Sequence, residues 1–266
     1  MPSVLSVVNL TSFFRMKPIF DERDLPEAAI DAAAEFRDTV ANLKFALDRP
    51  LWVYNPLGYA WSMHETYLRL AAGGRKKVFF LGMNPGPWGM AQTGVPFGEV
   101  AAVRDWLALR AEIGRPEPEH PKRPVEGLAC QRSEVSGRRL WGCFSESFAN
   151  ARAFFQDHFV GNYCPLVFME ESGRNLTPDK LPVSMTGPLF EACDRHLTKL
   201  VELLDPQWLV GIGGFAEARL QRVFSDSGRK IIRVLHPSPA SPAANRGWSE
   251  AFVGRMREAG VWGFLD

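Results

Sequence analysis

The chain has 266 residues, 46% of them hydrophobic and 23% charged, the make-up of an ordinary globular protein; a disordered chain and a disulfide scaffold are excluded. Its 31 basic and 30 acidic side chains leave a formal charge of +1, which excludes a histone-like polycation and leaves any nucleic-acid contact to a local patch. Apolar runs such as 78–81 fall far short of the roughly 20 residues of a membrane span, and the stretch 4–10 lacks the basic lead-in of an export signal.

Residues 1–20 read as an N-terminal extension. Asp24-Leu25-Pro26-Glu27 then combines a capping acid with a proline suited to a first helical turn. Phe36, Val40, Leu43 and Leu47 continue at helical spacing, which predicts one helix ending before Pro50. A shorter helix follows around Trp61, His64 and Leu68. Lys77-Val78-Phe79-Phe80-Leu81, continuously apolar after its lysine and closed by Gly82, reads as a strand buried on both faces. Helical periodicity returns at Val100, Val103 and Leu107 and again over 148–155, and 163–169 is strand-like. Leu189, Cys193, Leu197, Leu200 and Leu204 share one face of a further helix. Residues 208–212 form a strand candidate, a helix runs through Leu220 and Val223, and a last strand (230–235) and helix (248–259) complete the pattern.

Strand alternating with helix, without a compositional break or an internal repeat, predicts one α/β domain over 1–266. Its central sheet should be mostly parallel, with helices on both faces. Cys130, Cys143, Cys164 and Cys193 include no C-x-x-C pair, so they read as reduced, buried packing thiols of a cytosolic protein rather than as zinc or iron–sulfur ligands.

Function in such a sheet lies beyond the carboxyl ends of the strands. The loops to read are therefore 82–90, 170–186, 213–215 and 236–242. The first and last are rich in proline and glycine, which makes them stiff. Gly211-Ile212-Gly213-Gly214-Phe215-Ala216 fits the dinucleotide-binding pattern, yet the acid expected about 20 residues on is missing, and tight turns use glycine for packing alone. The first loop lacks the G-K-[ST] of a phosphate-binding loop, and the chain has neither a G-x-S-x-G elbow nor an H-E-x-x-H pair. What remains is Asn84, which can orient a water but cannot act as a base, and His236, which ends a buried strand and is held by Pro237.

The run Gly82-Met83-Asn84-Pro85-Gly86-Pro87-Trp88-Gly89-Met90-Ala91-Gln92-Thr93-Gly94-Val95-Pro96-Phe97-Gly98-Glu99, with His236-Pro237-Ser238-Pro239 and Asn245-Arg246-Gly247-Trp248, resembles the single-strand-selective monofunctional uracil-DNA glycosylases. The likeness extends from about Phe36 to the C-terminus. It implies that Asn84 positions the attacking water and that His236 supports the departing base. It also implies that the Met83 backbone, the Phe97 ring and the Asn162 amide line the base pocket. Asn162 can pair with O4 and N3–H of uracil, whereas cytosine presents the opposite donor pattern. Gly86 stands where the main uracil-DNA glycosylases carry a tyrosine against C5 of the base. Oxidised C5 substituents such as 5-hydroxymethyluracil should therefore be accepted, and thymine refused through loss of a well-bound water.

The resemblance further makes the loop Pro237, Ser238, Pro239, Ala240 and Ser241 a wedge into DNA, with Ala240 in place of the arginine of vertebrate relatives. The segment 172–185, with Arg174 and Lys180, would be a second DNA-contacting element. Lys122, Arg123, Arg132, Arg138 and Arg139 add a basic cluster that reads equally well as a solvated face. No lysine nucleophile is apparent, so no strand cleavage is expected. The expected partner is single- or double-stranded DNA carrying damaged bases, met by a monomer without cofactor, metal or membrane, in the cytoplasm at the nucleoid or in a nucleus. Three other readings stay open: a nicotinamide-dependent oxidoreductase, a glycosylase of deaminated purines such as xanthine, and a non-catalytic DNA-damage binder.

Overall fold

The apolar run after Lys77 becomes the centre of a sheet because no face of it can be left to water. The computed structural model describes residues 24–263, so the extension expected over 1–20 lies outside the described residues. In chain order the elements are α1 (Leu25–Ala41), β1 (Leu51–Tyr54), α2 (Pro56–Tyr59), α3 (Trp61–Ala71), β2 (Val78–Gly82), α4 (Met90–Thr93), α5 (Val135–Ser147) and α6 (Ala151–Asp157). There follow β3 (His158–Asn162), β4 (Val167–Glu170), β5 (Asn175–Leu176), α7 (Val183–Leu204), β6 (Trp208–Ile212), α8 (Gly214–Phe224), β7 (Lys230–Val234) and α9 (Trp248–Glu258).

Strands β3-β2-β6-β7, in that order, form a parallel sheet. All five residues of β2 are buried and four of β3, as an α/β sheet covered on both faces requires. The register sets Gly82 opposite Asn162, Leu81 opposite Gly211 and Ile212 opposite Val234. The chain therefore leaves all four strands along one rim, where Asn84, Asn162, Gly213 and His236 stand. A second, antiparallel sheet, β1-β4-β5, was not expected.

Two expectations need correction. The first helix ends at Ala41, not before Pro50. Beyond it Leu43, Phe45 and Leu47 are half-buried while Lys44, Ala46 and Asp48 are exposed, a period of two. Leu43 and Leu47 fit both an extended and a helical spacing, so their separation could not decide; Phe45 meets Phe168 edge-on at 5.0 Å. Residues 163–169 are not one strand: β3 ends at Asn162, and Pro165 lies in the break before β4. Asn162 is thus the last residue of a parallel strand rather than the residue before one, which puts it on the rim. Over 100–107 the expected helix is present but irregular, 100–101 being α-helical and Ala102–Trp106 a π-helical turn.

The four cysteines are free and buried, as expected. Among the described residues no helix is long and apolar enough to cross a membrane. Phe80 packs with Phe144, Phe154 and Phe252 beneath the sheet's centre.

Three histidines are neutral parts of this core, His64 and His158 buried and His196 half-buried. Burial holds His64 at about 4, His158 at about 4 and His196 at about 3. His158 accepts from Trp262 Nε1–H (2.9 Å) and donates from Nδ1 to the Phe154 carbonyl (2.9 Å), a pairing only the neutral ring can make. Unfolded, each would titrate near 6.5, so the unfolded state takes up protons first as pH falls and stability drains away between about 6.5 and 4. Glu134, raised to about 7 chiefly by burial, acts with the opposite sign over the same range and offsets one of them. The unfolding free energy in urea should therefore fall by about 3 kcal/mol per pH unit around pH 5.5. A profile flat from pH 7 to 5 would contradict this.

Candidate active site

At the end of β2 the ladder continues one step past the strand: Tyr163 N–H donates to the Gly82 carbonyl and Cys164 N–H to that of Met83, both at 2.9 Å. This ties Met83 and the root of the 82–90 loop to β3. The Asn84 amide then donates from Nδ2 to the Pro85 carbonyl (3.3 Å) and the Leu166 carbonyl (3.4 Å). With the nitrogen committed, Oδ1 is the end left to accept. Asn175 of β5 donates to the same Pro85 carbonyl at 3.3 Å, so the small antiparallel sheet braces the loop.

Asn162 and Phe97 meet over Gly82. A Cβ built at Gly82 would lie 2.5 Å from both Asn162 Oδ1 and the Phe97 ring, so only glycine lets the two close into a slot. Phe97 is held there at φ +53°, a conformation that costs a non-glycine residue free energy and occurs where the surroundings enforce it. Asn162 Nδ2 rests 3.4 Å from Met90 Sδ.

His236 stands on the same rim, its ring 6.5 Å from that of Phe97. Ser238 N–H donates to Nδ1 (3.1 Å), so in the neutral ring the proton sits on Nε2. Burial lowers the imidazole below its ordinary value, keeping it neutral at pH 7. Behind it stands Gly213, whose φ is +89° and whose Cβ would come 3.2–3.3 Å from the His236 side chain. The glycines read as a nucleotide pattern have this packing task, and Gly211 likewise lets α8 approach, since a Cβ there would collide with the Glu217 amide. Gly213→Ala should lower stability by about 1–3 kcal/mol and also displace His236. Thermal melting and a turnover assay on one preparation check both, and unchanged values in the two would refute the role.

The loop after His236 is preformed. Ser238 Oγ accepts from Ala240 N–H (3.1 Å) and Ser241 N–H donates to the Ser238 carbonyl (3.0 Å). Pro239 and Ala240 are exposed at its tip, while Pro237 is buried. Arg139 of α5 donates to the Pro237 carbonyl and to Asn245 Oδ1, each at 2.9 Å, and Asn245 Nδ2 donates to the Pro239 carbonyl. The basic cluster therefore divides: Arg139 clamps this loop, while the Arg123 and Arg132 guanidiniums lie 5.2 and 4.7 Å from the Trp88 ring centre. Arg174 and Lys180 are exposed but paired within their own segment, to Glu170 (3.2 Å) and Asp179 (4.0 Å). Among the described residues no hydrogen bond or ion pair joins these two to the slot.

Gly86 adjoins a group the sequence did not single out. Glu134, the residue before α5, lays its carboxyl group against Gly86, Gly89 and Gly137; a Cβ at Gly86 would be 3.1 Å from Oε1. Glu134 is the position that residue-type reasoning missed; Arg139, Gly82 and Gly213 were noted, but without the supporting tasks they have here. Only the glycines carried a signal, each standing at the end of a buried strand.

A parallel sheet whose rim offers an aromatic face, an amide edge, a neutral imidazole and a second amide defines an α/β protein with a slot suited to a flat, hydrogen-bonding ring. Residues 72–256 match the profile of the uracil DNA glycosylase superfamily, and the chain belongs to that superfamily. It is 44% identical over 248 residues to the single-strand selective monofunctional uracil DNA glycosylase of Bos taurus, covering 92% of this chain and 91% of the relative. The Mus musculus and Rattus norvegicus proteins of that description are 45% identical (92% of this chain, 88% of the relative) and 46% identical (90% and 86%). The crystal structure of wild-type Pedobacter heparinus SMUG2 shares the fold, with a TM-score of 0.58 at 16% identity over 87% of this chain and 98% of that one.

Proposed function

We propose that the chain is a monofunctional DNA glycosylase that flips uracil and C5-modified uracils such as 5-hydroxymethyluracil out of DNA and hydrolyses their N-glycosidic bond, opening base excision repair. One observation carries this reading: Phe97 lies beside both Asn162 and His236 on the rim that also bears Asn84. The contiguous core from Ala29 to Trp262 supports taking the described residues as a single domain.

Cleavage leaves an oxocarbenium-like sugar and a uracil anion, so the chief demand is stabilisation of charge on the leaving base. In this reading His236 Nε2–H donates to O2 as that charge grows. A neutral ring suffices, because it donates without having to lose a proton to the product. Asn84 Oδ1 holds a water near the anomeric carbon, and the water loses its proton only as the bond to carbon forms. Asn162 pairs with O4 and N3–H, Phe97 stacks on the ring, and the Met83 backbone closes the pocket. Extruding the nucleotide costs a few kcal/mol of unstacking; the exposed Pro239–Ala240 tip, held by Arg139 and Asn245, is the wedge. Arg174 and Lys180 contact the DNA backbone, which requires exchanging their acidic partners for phosphate.

Gly86 leaves C5 of the base unobstructed. Gly86→Tyr should therefore cut release of 5-hydroxymethyluracil at least about 10-fold more than release of uracil, a ring being far bulkier than the methylene-sized differences worth that much. Single-turnover release from oligonucleotides carrying uracil, 5-hydroxymethyluracil or xanthine checks this. Equal loss on both pyrimidines would sink the assignment of Gly86, and faster release of xanthine than of uracil would make the protein a purine glycosylase.

A further inference from the structure

Glu134 is a half-buried residue whose carboxyl group lies against the 82–90 loop, and the chemistry above gives it no task. Three glycines make room for it. Oε2 sits against Gly89 and Gly137, where a Cβ would collide with it, and Oε1 is turned toward Gly86. No ion pair with it is found among the described residues, and the nearest acid, Glu99, is itself buried and accepts from Ala102 N–H at 2.9 Å. The Gly137 amide supports the carboxylate from the Oε2 side, which leaves Oε1, beside Gly86, as the oxygen free to take a further partner. Helix α5 could begin with any small polar residue. A glutamate reaching back to the 82–90 loop does something a serine could not.

We propose that Glu134 reads the substituent at C5 of the bound base, its Oε1 accepting a hydrogen bond from a hydroxyl group carried on C5 or from the water that stands there when C5 is bare. This rests on the placement of C5 beside Gly86 in the reading above. A methyl group offers no donor and displaces the water, leaving Oε1 unsatisfied. A site built to hydrogen-bond a hydroxyl rejects an analogue lacking it far more strongly than a merely roomy pocket does. Burial, helped by Glu99 and opposed by the Gly137 amide, raises the carboxyl to about 7, so it also holds a proton part of the time near neutrality and can then donate as well as accept.

The test compares single-turnover release of 5-hydroxymethyluracil and of uracil by wild type, Glu134→Ala, Glu134→Leu and Glu134→Gln. The ratio of the two rates within one preparation does not depend on how much of it is folded. The Ala and Leu variants should lower the 5-hydroxymethyluracil-to-uracil ratio about 10-fold or more, the loss expected for a hydrogen bond to a charged group. The Gln variant, which keeps an acceptor oxygen, should retain most of it. Leu preserves volume and serves where Ala fails to fold. A ratio unchanged in Ala and Leu, with both rates falling together, would show a merely structural carboxyl and overturn the proposal. Wild type that releases uracil but not 5-hydroxymethyluracil would overturn it while leaving the glycosylase reading intact; wild type that releases neither would overturn both.

Discussion

His236→Ala should slow base release about 10²–10³-fold in single turnover, the usual loss when one preorganised donor to a developing oxyanion is removed. DNA binding should change little, because the ring is partly buried behind the loop and its Nδ1 is already used by Ser238. The loss belongs to the chemical step, since a neutral imidazole adds little to the ground-state base and much to the anion. Burial lowers this histidine's pKa, so the ring takes up a second proton only below its ordinary value of about 6.5. Activity from His236 should therefore hold through neutrality. A sharp drop between pH 8 and 7 would contradict the neutral-donor role.

Asn84→Ala should cost about 10²-fold or more, because an unplaced nucleophile forfeits the advantage of a held near-attack geometry. The structure adds a sharper expectation for Asn84→Asp. The amide nitrogen donates to two carbonyls, Pro85 and Leu166. An aspartate would set a carboxylate oxygen against both, so it should turn away or carry a proton, and in neither state reproduce the asparagine. The near-isosteric variant should thus stay well below wild type. Recovery of wild-type rates by Asn84→Asp would mean that the two carbonyl contacts do not fix the orientation of this side chain.

Much of the fold was legible because β2 and β6 are too apolar to be anything but buried strands and because their flanking glycines mark the turns. The catalytic candidates were legible for the same reason: Asn84 and His236 directly follow such strands. What escaped was the support. Helix α5 carries Gly137, Arg138, Arg139 and Gly142 among Leu140, Trp141 and Phe144, so its buried stripe is masked by glycines and charge, yet it supplies Arg139 and follows Glu134. Strand β1 has only four residues and is mostly half-buried, too short for a period to show. Asn162 was misplaced by one element because Tyr163, Cys164 and Leu166 are as apolar as a strand, while Pro165 turns them into a crossing between two sheets. The glycines that fit a nucleotide fingerprint serve packing, the alternative that the missing acid favours. Gly213 is shaped to a histidine from the next strand, and no local pattern can announce a partner so far along the chain.

The central claim is that the rim of this sheet cleaves a base from DNA with Asn84 and His236 and without breaking the strand. Its most direct test is a labelled oligonucleotide bearing one uracil, presented single-stranded and in a duplex, incubated with wild type, Asn84→Ala and His236→Ala, and developed with and without hot alkali. The account predicts cleavage by wild type that depends wholly on alkali and that each substitution cripples. Strand breaks without alkali, or undiminished release by either variant, would contradict it.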